Sequence, residues 1–265
     1  AEQILLDKLL EEFKARGWLK ARQCQRTDAT HVVAAIRTLT RIEMVGETLR
    51  QALNHLATVV PAWLRVRVPA EWYDRYGKSF EEYRMPKAEA ALLELAEQIG
   101  RDGWQLLVQV ESETDLPWLG ELPALTTLRC VWHQQYDCQE TVVHWRHKDD
   151  LPSSAEMICT PYDPQARYSR KRDMNWTGYK VHLTEICETD TPHLITHVET
   201  TDATQPDNEV VDPVHIDLAQ HQLLPDEHVV DTAYVSSANL VSSQRDQVDL
   251  LGPVNPDTSW QALAG

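Results

Sequence analysis

The second half of the chain carries the sequence pattern that most restricts the fold. Two stretches, residues 177–187 and residues 193–200, alternate apolar and polar side chains at the period of a β-strand, and five residues separate them as a hairpin turn. The elements that follow are a helix, a short apolar strand, a helix and a last strand, at residues 207–221, 227–230, 236–247 and 248–254. The order β-β-α-β-α-β predicts an α/β fold with a mixed sheet and helices packed on it.

The first half of the chain is predicted to be mainly helical. An amphipathic helix at residues 2–16 ends at Gly17, and a strand over residues 22–33 follows. We expect the next three helices at residues 39–58, 86–101 and 123–136, with Pro86 opening the second and Gly100 closing it. The aromatic residues between 70 and 84 recur at helical spacing and are interpreted as core. Asp207 is a candidate N-cap for the helix that starts there.

Composition excludes several classes of protein. A chain of 265 residues can form one large domain or two smaller ones. It has no apolar run of about 18 residues and no signal peptide at its start, so we expect a cytoplasmic protein with no membrane partner and five reduced cysteines. A zinc site built from Cys130, His133, Cys138 and His144 is an alternative, although their spacing matches no finger or ribbon pattern.

Net charge argues against a general nucleic-acid coat protein, because the chain carries −16 at pH 7. One stretch is nevertheless basic, and Trp176 and Tyr179 interleave with its cations. Basic side chains with aromatic neighbours can follow a phosphate backbone and stack on bases. The alternative is a solvated hairpin face. The cations of this stretch are Arg167, Arg170, Lys171, Arg172 and Lys180.

Two aspartates, Asp28 and Asp231, lie in similar settings far apart in the sequence. Each is associated with a predicted strand that gives way to small residues. Two carboxylates on neighbouring strands can hold a divalent metal for phosphodiester chemistry, and Mg²⁺ prefers such oxygen ligands. The alternative is that each aspartate only satisfies backbone donors at the end of its strand.

These segments resemble the bacterial insertion-sequence transposases of the DDE type, which have an RNase H-like catalytic domain. The resemblance covers nearly the whole chain and is carried by seven motifs together. They are RTDATHV at 26–32, ETLR at 47–50, PYDPQARYS at 161–169, WTGYKVHL at 176–183, HLITHVETT at 193–201, HVVDTAYV at 228–235 and DLLGP at 249–253.

The resemblance implies a division of the chain. Residues 1–20 correspond to the last helix of an N-terminal region, residues 21–34 to the first strand of the RNase H-like core, residues 35–150 to a helical insertion, and residues 151–265 to the remainder of the core. Asp28 and Asp231 match the first and second catalytic acids, which hold Mg²⁺ or Mn²⁺. Phosphate contacts are expected from the hairpin, at Arg170, Lys171, Arg172, Lys180 and His182.

The family's third catalytic acid is a Glu on a helix after the fifth strand, and this sequence reaches Gly265 without a match. We therefore expect an incomplete DDE transposase, which would cleave and join DNA at transposon ends and target sites and could self-associate. The alternative is a non-catalytic transposase remnant that binds DNA or an intact transposase. An unrelated α/β protein with structural aspartates is the third hypothesis.

Overall fold

The chain divides into two compact units. The computed structural model describes residues 2–37, 39–139, 142–171 and 173–254. The first unit, termed the sheet unit, comprises Ala1–Val32 and Tyr179–Gly265, and the second, termed the helical unit, comprises Val33–Gly178. The helical unit therefore includes residues 151–178 together with the predicted insertion.

The sheet unit is built on a mixed sheet with strand order β6-β5-β1-β7-β8. These strands are β1 (Gln25–Val33), β5 (Met174–Ile186), β6 (Ile195–Asp202), β7 (Glu227–Val230) and β8 (Asp249–Leu251). β5 and β6 form the predicted antiparallel hairpin, whereas β7 runs parallel to both β1 and β8. The predicted α/β class, a mixed sheet with flanking helices interrupted by a mainly helical segment, is confirmed and is compatible with an RNase H-like sheet.

Apolar side chains from two helices pack against this sheet. These helices are α1 (Glu2–Ala15) and α7 (Val211–Gln220), and α8 (Ser237–Arg245) contacts β8 and α7. Leu10 of α1 and Val214 and Leu218 of α7 are fully buried in one cluster with Val230 and Leu250 of the sheet. Burial of this apolar surface is the main driving force for the unit, at about 25 cal/mol per Å².

The ends of these helices test two sequence predictions. Gly17 follows α1 with a φ of +74°, a conformation that favours glycine, so the predicted stop is confirmed. Ser236 is the N-cap of α8, and its Oγ accepts a hydrogen bond from Asn239 N at 3.1 Å. The prediction of Asp207 as an N-cap is wrong, because Asp207 is the first residue of a 3₁₀ turn and its side chain pairs with Lys180.

In the part of the chain that the structure describes, the helical unit contains five α-helices and three complete strands. The helices are α2 (Arg41–Val59), α3 (Pro61–Arg67), α4 (Trp72–Tyr76), α5 (Glu89–Glu111) and α6 (Pro123–Gln135), and the strands are β2 (Tyr136–Gln139), β3 (Val142–Trp145) and β4 (Arg167–Lys171). β2 pairs with β3, and β4 pairs with the first residues of β5, Met174–Gly178. Trp72, Tyr76 and Phe80 lie in the core of the unit as predicted, whereas Tyr73 and Tyr83 are exposed.

The longest helix differs from its prediction at both ends. α5 begins at Glu89 rather than at Pro86 and continues through Gly100 to Glu111. Gly100 and Gly103 allow close packing instead of ending the helix: a Cβ at Gly100 would lie 2.4 Å from Tyr136 Cε1, and one at Gly103 would lie 2.0 Å from Trp132 Cζ2. Both glycines therefore make room for aromatic rings at the centre of the core.

Substituting Gly103 by Ala should destabilise the helical unit. The new methyl group would overlap the buried Trp132 indole, and relief of such overpacking typically costs about 1–3 kcal/mol, more than the gain in helix propensity. Chemical denaturation of both proteins measures the change. Gly120→Ala is the matched control, because its nearest neighbour would be 3.7 Å away. Equal stability of the two variants would contradict the packing role of Gly103.

Candidate functional site

Parallel pairing of β1 with β7 brings the two predicted catalytic aspartates together. The register pairs Gln25 with His228, Arg26 with Val229 and Thr27 with Val230, so the next residues along the two strands are Asp28 and Asp231. Neighbouring strands lie about 4.8 Å apart, and level residues point to the same face. Asp28 lies within β1, whereas Asp231 directly follows the last residue of β7.

Both carboxylates are exposed, and one oxygen of each accepts a local backbone hydrogen bond. Asp28 Oδ1 accepts from Ala29 N at 2.8 Å. Asp231 Oδ1 accepts from Ala233 N at 2.8 Å and caps the 3₁₀ turn Thr232–Tyr234. These bonds orient the two side chains. Two exposed, level carboxylates form a donor set that fits a hard divalent cation, which binds through few carboxylates and retains water.

The opposite face of the same two strands carries a chain of buried hydrogen bonds. Thr27 Oγ1 lies 2.7 Å from both Thr184 Oγ1 and His228 Nε2, and His228 Nδ1 lies 2.8 Å from His215 Nε2. Burial, and to a lesser extent the nearby His215 ring, lowers the pKa of His228 to about 3. The neutral imidazole therefore joins β1 to β7 immediately behind the aspartate pair.

A second polar network anchors the turn that carries Asp231. The ring of Tyr234 is buried, and its Oη lies 2.6 Å from His182 Nδ1, while His182 Nε2 lies 3.1 Å from Thr201 Oγ1. Asn239 Nδ2 donates to Tyr234 O at 2.9 Å. Hydrogen bonds to the side chain and to the backbone of Tyr234 thus both hold the turn in place.

The surroundings of Tyr234 raise the pKa of its hydroxyl group. Burial raises its pKa most, and the negative charges of Asp207, Asp231 and Asp28 raise it further, in that order. The pKa of His182 is lowered, chiefly by burial. Both groups are therefore neutral, and the network contributes hydrogen bonds but no charge to the site.

Lys180 and Asp207 form a largely buried ion pair in the sheet unit. Lys180 Nζ lies 2.6 Å from Asp207 Oδ1 and also donates to Gln205 O. The ammonium group therefore already has a carboxylate and a carbonyl as acceptors. Because partners of opposite charge compensate the desolvation of each ion, this pair stabilises the loop between β6 and α7 only while both members are present.

The five residues predicted to contact phosphates lie in different environments. Arg170 and Lys171 are on β4, paired in register with Asn175 and Met174, and Lys171 is exposed. Arg172 lies outside the described residues. Lys180 is occupied by Asp207, and His182 is completely buried, so in this structure its ring does not reach a surface where DNA can bind.

Two residues of the site, Tyr234 and Asp207, were missed by the sequence reasoning. Tyr234 lies three residues after Asp231, and in a 3₁₀ turn two residues at this spacing lie one above the other. This spacing is the sequence signal that could have identified Tyr234 as a site residue. Asp207 had no such signal, because only the tertiary structure brings it to Lys180.

Among the described residues, no group of three or more His, Cys, Asp and Glu side chains is close enough together to hold a metal ion, and this holds for the four residues of the alternative zinc site. None of the described helices is long and apolar enough to cross a membrane. Comparison of the chain with protein-family models, curated proteins and solved structures finds no match.

The buried histidines should make folding stability depend on pH. The pKa of His228 is about 3 in the folded chain, against about 6.5 when unfolded, so the unfolded state binds a proton first as the pH falls. The free energy of unfolding should therefore decrease between about pH 6.5 and pH 3, by up to about 1.4 kcal/mol per pH unit from this residue.

Urea denaturation at several pH values measures this slope. His228→Gln should flatten it, whereas His193→Gln, which changes an exposed ring of the same unit, should leave it unchanged. The same slope in the wild type and in His228→Gln would show that proton uptake by His228 is not linked to unfolding.

Proposed function

We propose that the chain carries the two-aspartate part of a DDE-type transposase active site and binds Mg²⁺ or Mn²⁺ through Asp28 and Asp231. The observation that carries this proposal is the β1–β7 register, which makes the two aspartates level neighbours on the exposed face of the sheet. Their match to the first two catalytic acids of the family supports the same assignment.

A divalent ion held by these two carboxylates would supply activation of a water or hydroxyl for attack on a phosphodiester and stabilisation of charge on the leaving oxygen. In this proposal Asp28 and Asp231 hold the ion, and Tyr234 and His182 keep the Asp231 turn in place. The complete reaction would be hydrolysis at a transposon end, followed by joining of the 3′-hydroxyl to target DNA.

DNA binding is proposed for the hairpin of β4 and β5 in the helical unit. Its exposed side chains combine the cation of Lys171 with the apolar groups of Tyr168 and Met174. Such a surface can neutralise phosphates and contact bases. Lys180 and His182 are better assigned to support of the neighbouring fold, because both are engaged by protein groups.

Removing either aspartate should weaken metal binding. Titration of the protein with Mn²⁺, followed by electron paramagnetic resonance of the free ion, should give a lower affinity for Asp28→Asn and for Asp231→Asn, because each loses a charged oxygen ligand. We expect an affinity loss of about tenfold or more, equivalent to about 1.4 kcal/mol.

Asp190→Asn is the matched control for this titration. Asp190 is an exposed aspartate of the same unit, but it lies in the loop between β5 and β6 and not on a strand beside Asp28 or Asp231. If Asp190→Asn weakened Mn²⁺ binding as much as the other two variants, the protein would bind the ion through its general negative charge and the proposed site would be rejected.

Lys171 should contribute one phosphate contact to DNA binding. Lys171→Gln should weaken binding to duplex DNA of any sequence and reduce the slope of log affinity against log salt by about 1. Fluorescence anisotropy at several salt concentrations measures this slope. Lys148→Gln is the control, because Lys148 is an exposed lysine in a 3₁₀ turn of the same unit. Equal slopes for all three proteins would remove the hairpin from the proposed interface.

Metal-dependent nicking separates the catalytic proposal from the non-catalytic alternative. Nicking that is lost in Asp28→Asn, while DNA binding is kept, supports a cleaving enzyme. Salt-sensitive DNA binding without nicking supports a binding remnant. Loss of both DNA binding and folding in the aspartate variants would mean that these residues support the fold.

A further inference from the structure

The helical unit contains a large open cavity, termed the basic cavity, at the start of α2. Its volume is about 1050 Å³, at the upper end of the range for small-molecule sites. Three cations line it together with apolar and aromatic side chains. The lining includes Arg37, Arg41, Lys87, Ile42, Met85 and Trp145.

Arg41 is the central cation of the basic cavity. Its guanidinium carbon lies 4.1 Å from the centre of the Trp145 ring, so the planar group stacks on the indole. Its Nε donates to Gln135 Oε1 at 2.8 Å, and one terminal nitrogen donates to Arg146 O at 3.2 Å. These contacts hold the guanidinium in one orientation at the cavity wall.

Arg41 contacts a glutamine side chain, a backbone carbonyl and an indole ring, whereas two other part-buried arginines of this unit pair with carboxylates. Arg50 pairs with Glu47 at 2.7 Å and Arg75 with Asp102 at 3.0 Å. Arg41 makes no ion pair with a carboxylate in the part of the chain that the structure describes, and desolvation lowers its pKa. A desolvated cation without a counter-charge is costly, and an anion bound beside it would offset that cost.

Two other cations and two carboxylates also line the cavity. Arg37 is paired with Glu43 at 2.7 Å, and Lys87 is exposed. The acidic members of the lining are Glu81 and Glu82. Glu81 Oε1 already accepts from Ser79 Oγ at 2.8 Å, and hydrogen bonds from Tyr83 and Ser79 lower its pKa, so its charge is directed at protein donors.

We propose that the basic cavity binds a nucleotide, with the phosphate at Arg41 and Lys87 and the base or sugar against Ile42, Met85 and Trp145. The planar, stacked guanidinium has the geometry for phosphate recognition. The volume exceeds what a simple inorganic anion fills, and the apolar wall suits a flat organic group. The ligand is either a free nucleotide or the terminal nucleotide of a DNA strand. This inference does not rest on the aspartate site.

Isothermal titration calorimetry with deoxyadenosine monophosphate, inorganic phosphate and a 5′-phosphorylated oligonucleotide tests the proposal. Saturable binding of the mononucleotide assigns a free nucleotide as ligand, and binding of the oligonucleotide alone assigns the end of a DNA strand. No saturable binding of either one at millimolar concentration overturns the proposal. Inorganic phosphate binding as tightly as the nucleotide also overturns it.

Variants connect the binding to the cavity. Arg41→Gln should weaken nucleotide affinity by about tenfold, because it removes a charge-assisted hydrogen bond. Lys87→Gln changes an exposed side chain, so it keeps the test valid if Arg41→Gln fails to fold. The control is Arg101→Gln, which changes an exposed arginine near Glu97 on α5.

Unchanged nucleotide affinity in both Arg41→Gln and Lys87→Gln would refute the site, as would an equal loss in Arg101→Gln. Asp28→Asn should bind the nucleotide like the wild type. A failure of the basic cavity is therefore distinguishable from a failure of the proposed metal site, which is measured with Mn²⁺.

Discussion

The register between β1 and β7 is the constraint on which the candidate site depends. Side chains alternate between the two faces of a strand, so a slip of one residue would turn Asp28 toward the core and Thr27 toward solvent. The buried bond between Thr27 and His228 opposes such a slip, because each group would lose its partner in a place without water. The same bond therefore stabilises the sheet and keeps Asp28 level with Asp231.

Polar groups in the core of the sheet unit also orient the turn that carries Asp231. The interior behind the aspartate pair contains His182, His215, His228 and Tyr234, where a sheet of this size is usually packed with aliphatic side chains. Hydrogen bonds compensate the burial of His182, His228 and Tyr234, whereas His215 Nδ1 is buried without a hydrogen-bond partner among the described residues. The directionality of these bonds orients the turn that carries Asp231 more specifically than apolar contacts would. The exposed carboxylates are thus held by an uncharged network, which leaves their charge available to a cation.

Local patterns in the sequence predicted most elements of the fold. Alternation identified the β5–β6 hairpin, and periodicity identified α1, α2 and α6 within a few residues of their observed ends. Gly100 shows where such reasoning fails, because a glycine that ends a helix and one that admits a neighbouring ring look alike in sequence. His182 shows the same limit at the site: its alternation placed it on the polar face of a hairpin, yet Tyr234 and Thr201, distant in sequence, bury it completely.

The sequence by itself determined the α/β class, the order of the strands along the chain and the two aspartates as candidates for metal binding. These follow from periodicity and residue chemistry, which are local properties. The tertiary structure alone decided that Asp28 and Asp231 are neighbours, that Asp207 engages Lys180, and that Arg41 lies beside a cavity and has no carboxylate partner among the described residues. Each of these depends on the packing of segments that are distant along the chain, and side-chain contacts of that kind have no signature in the spacing of residues.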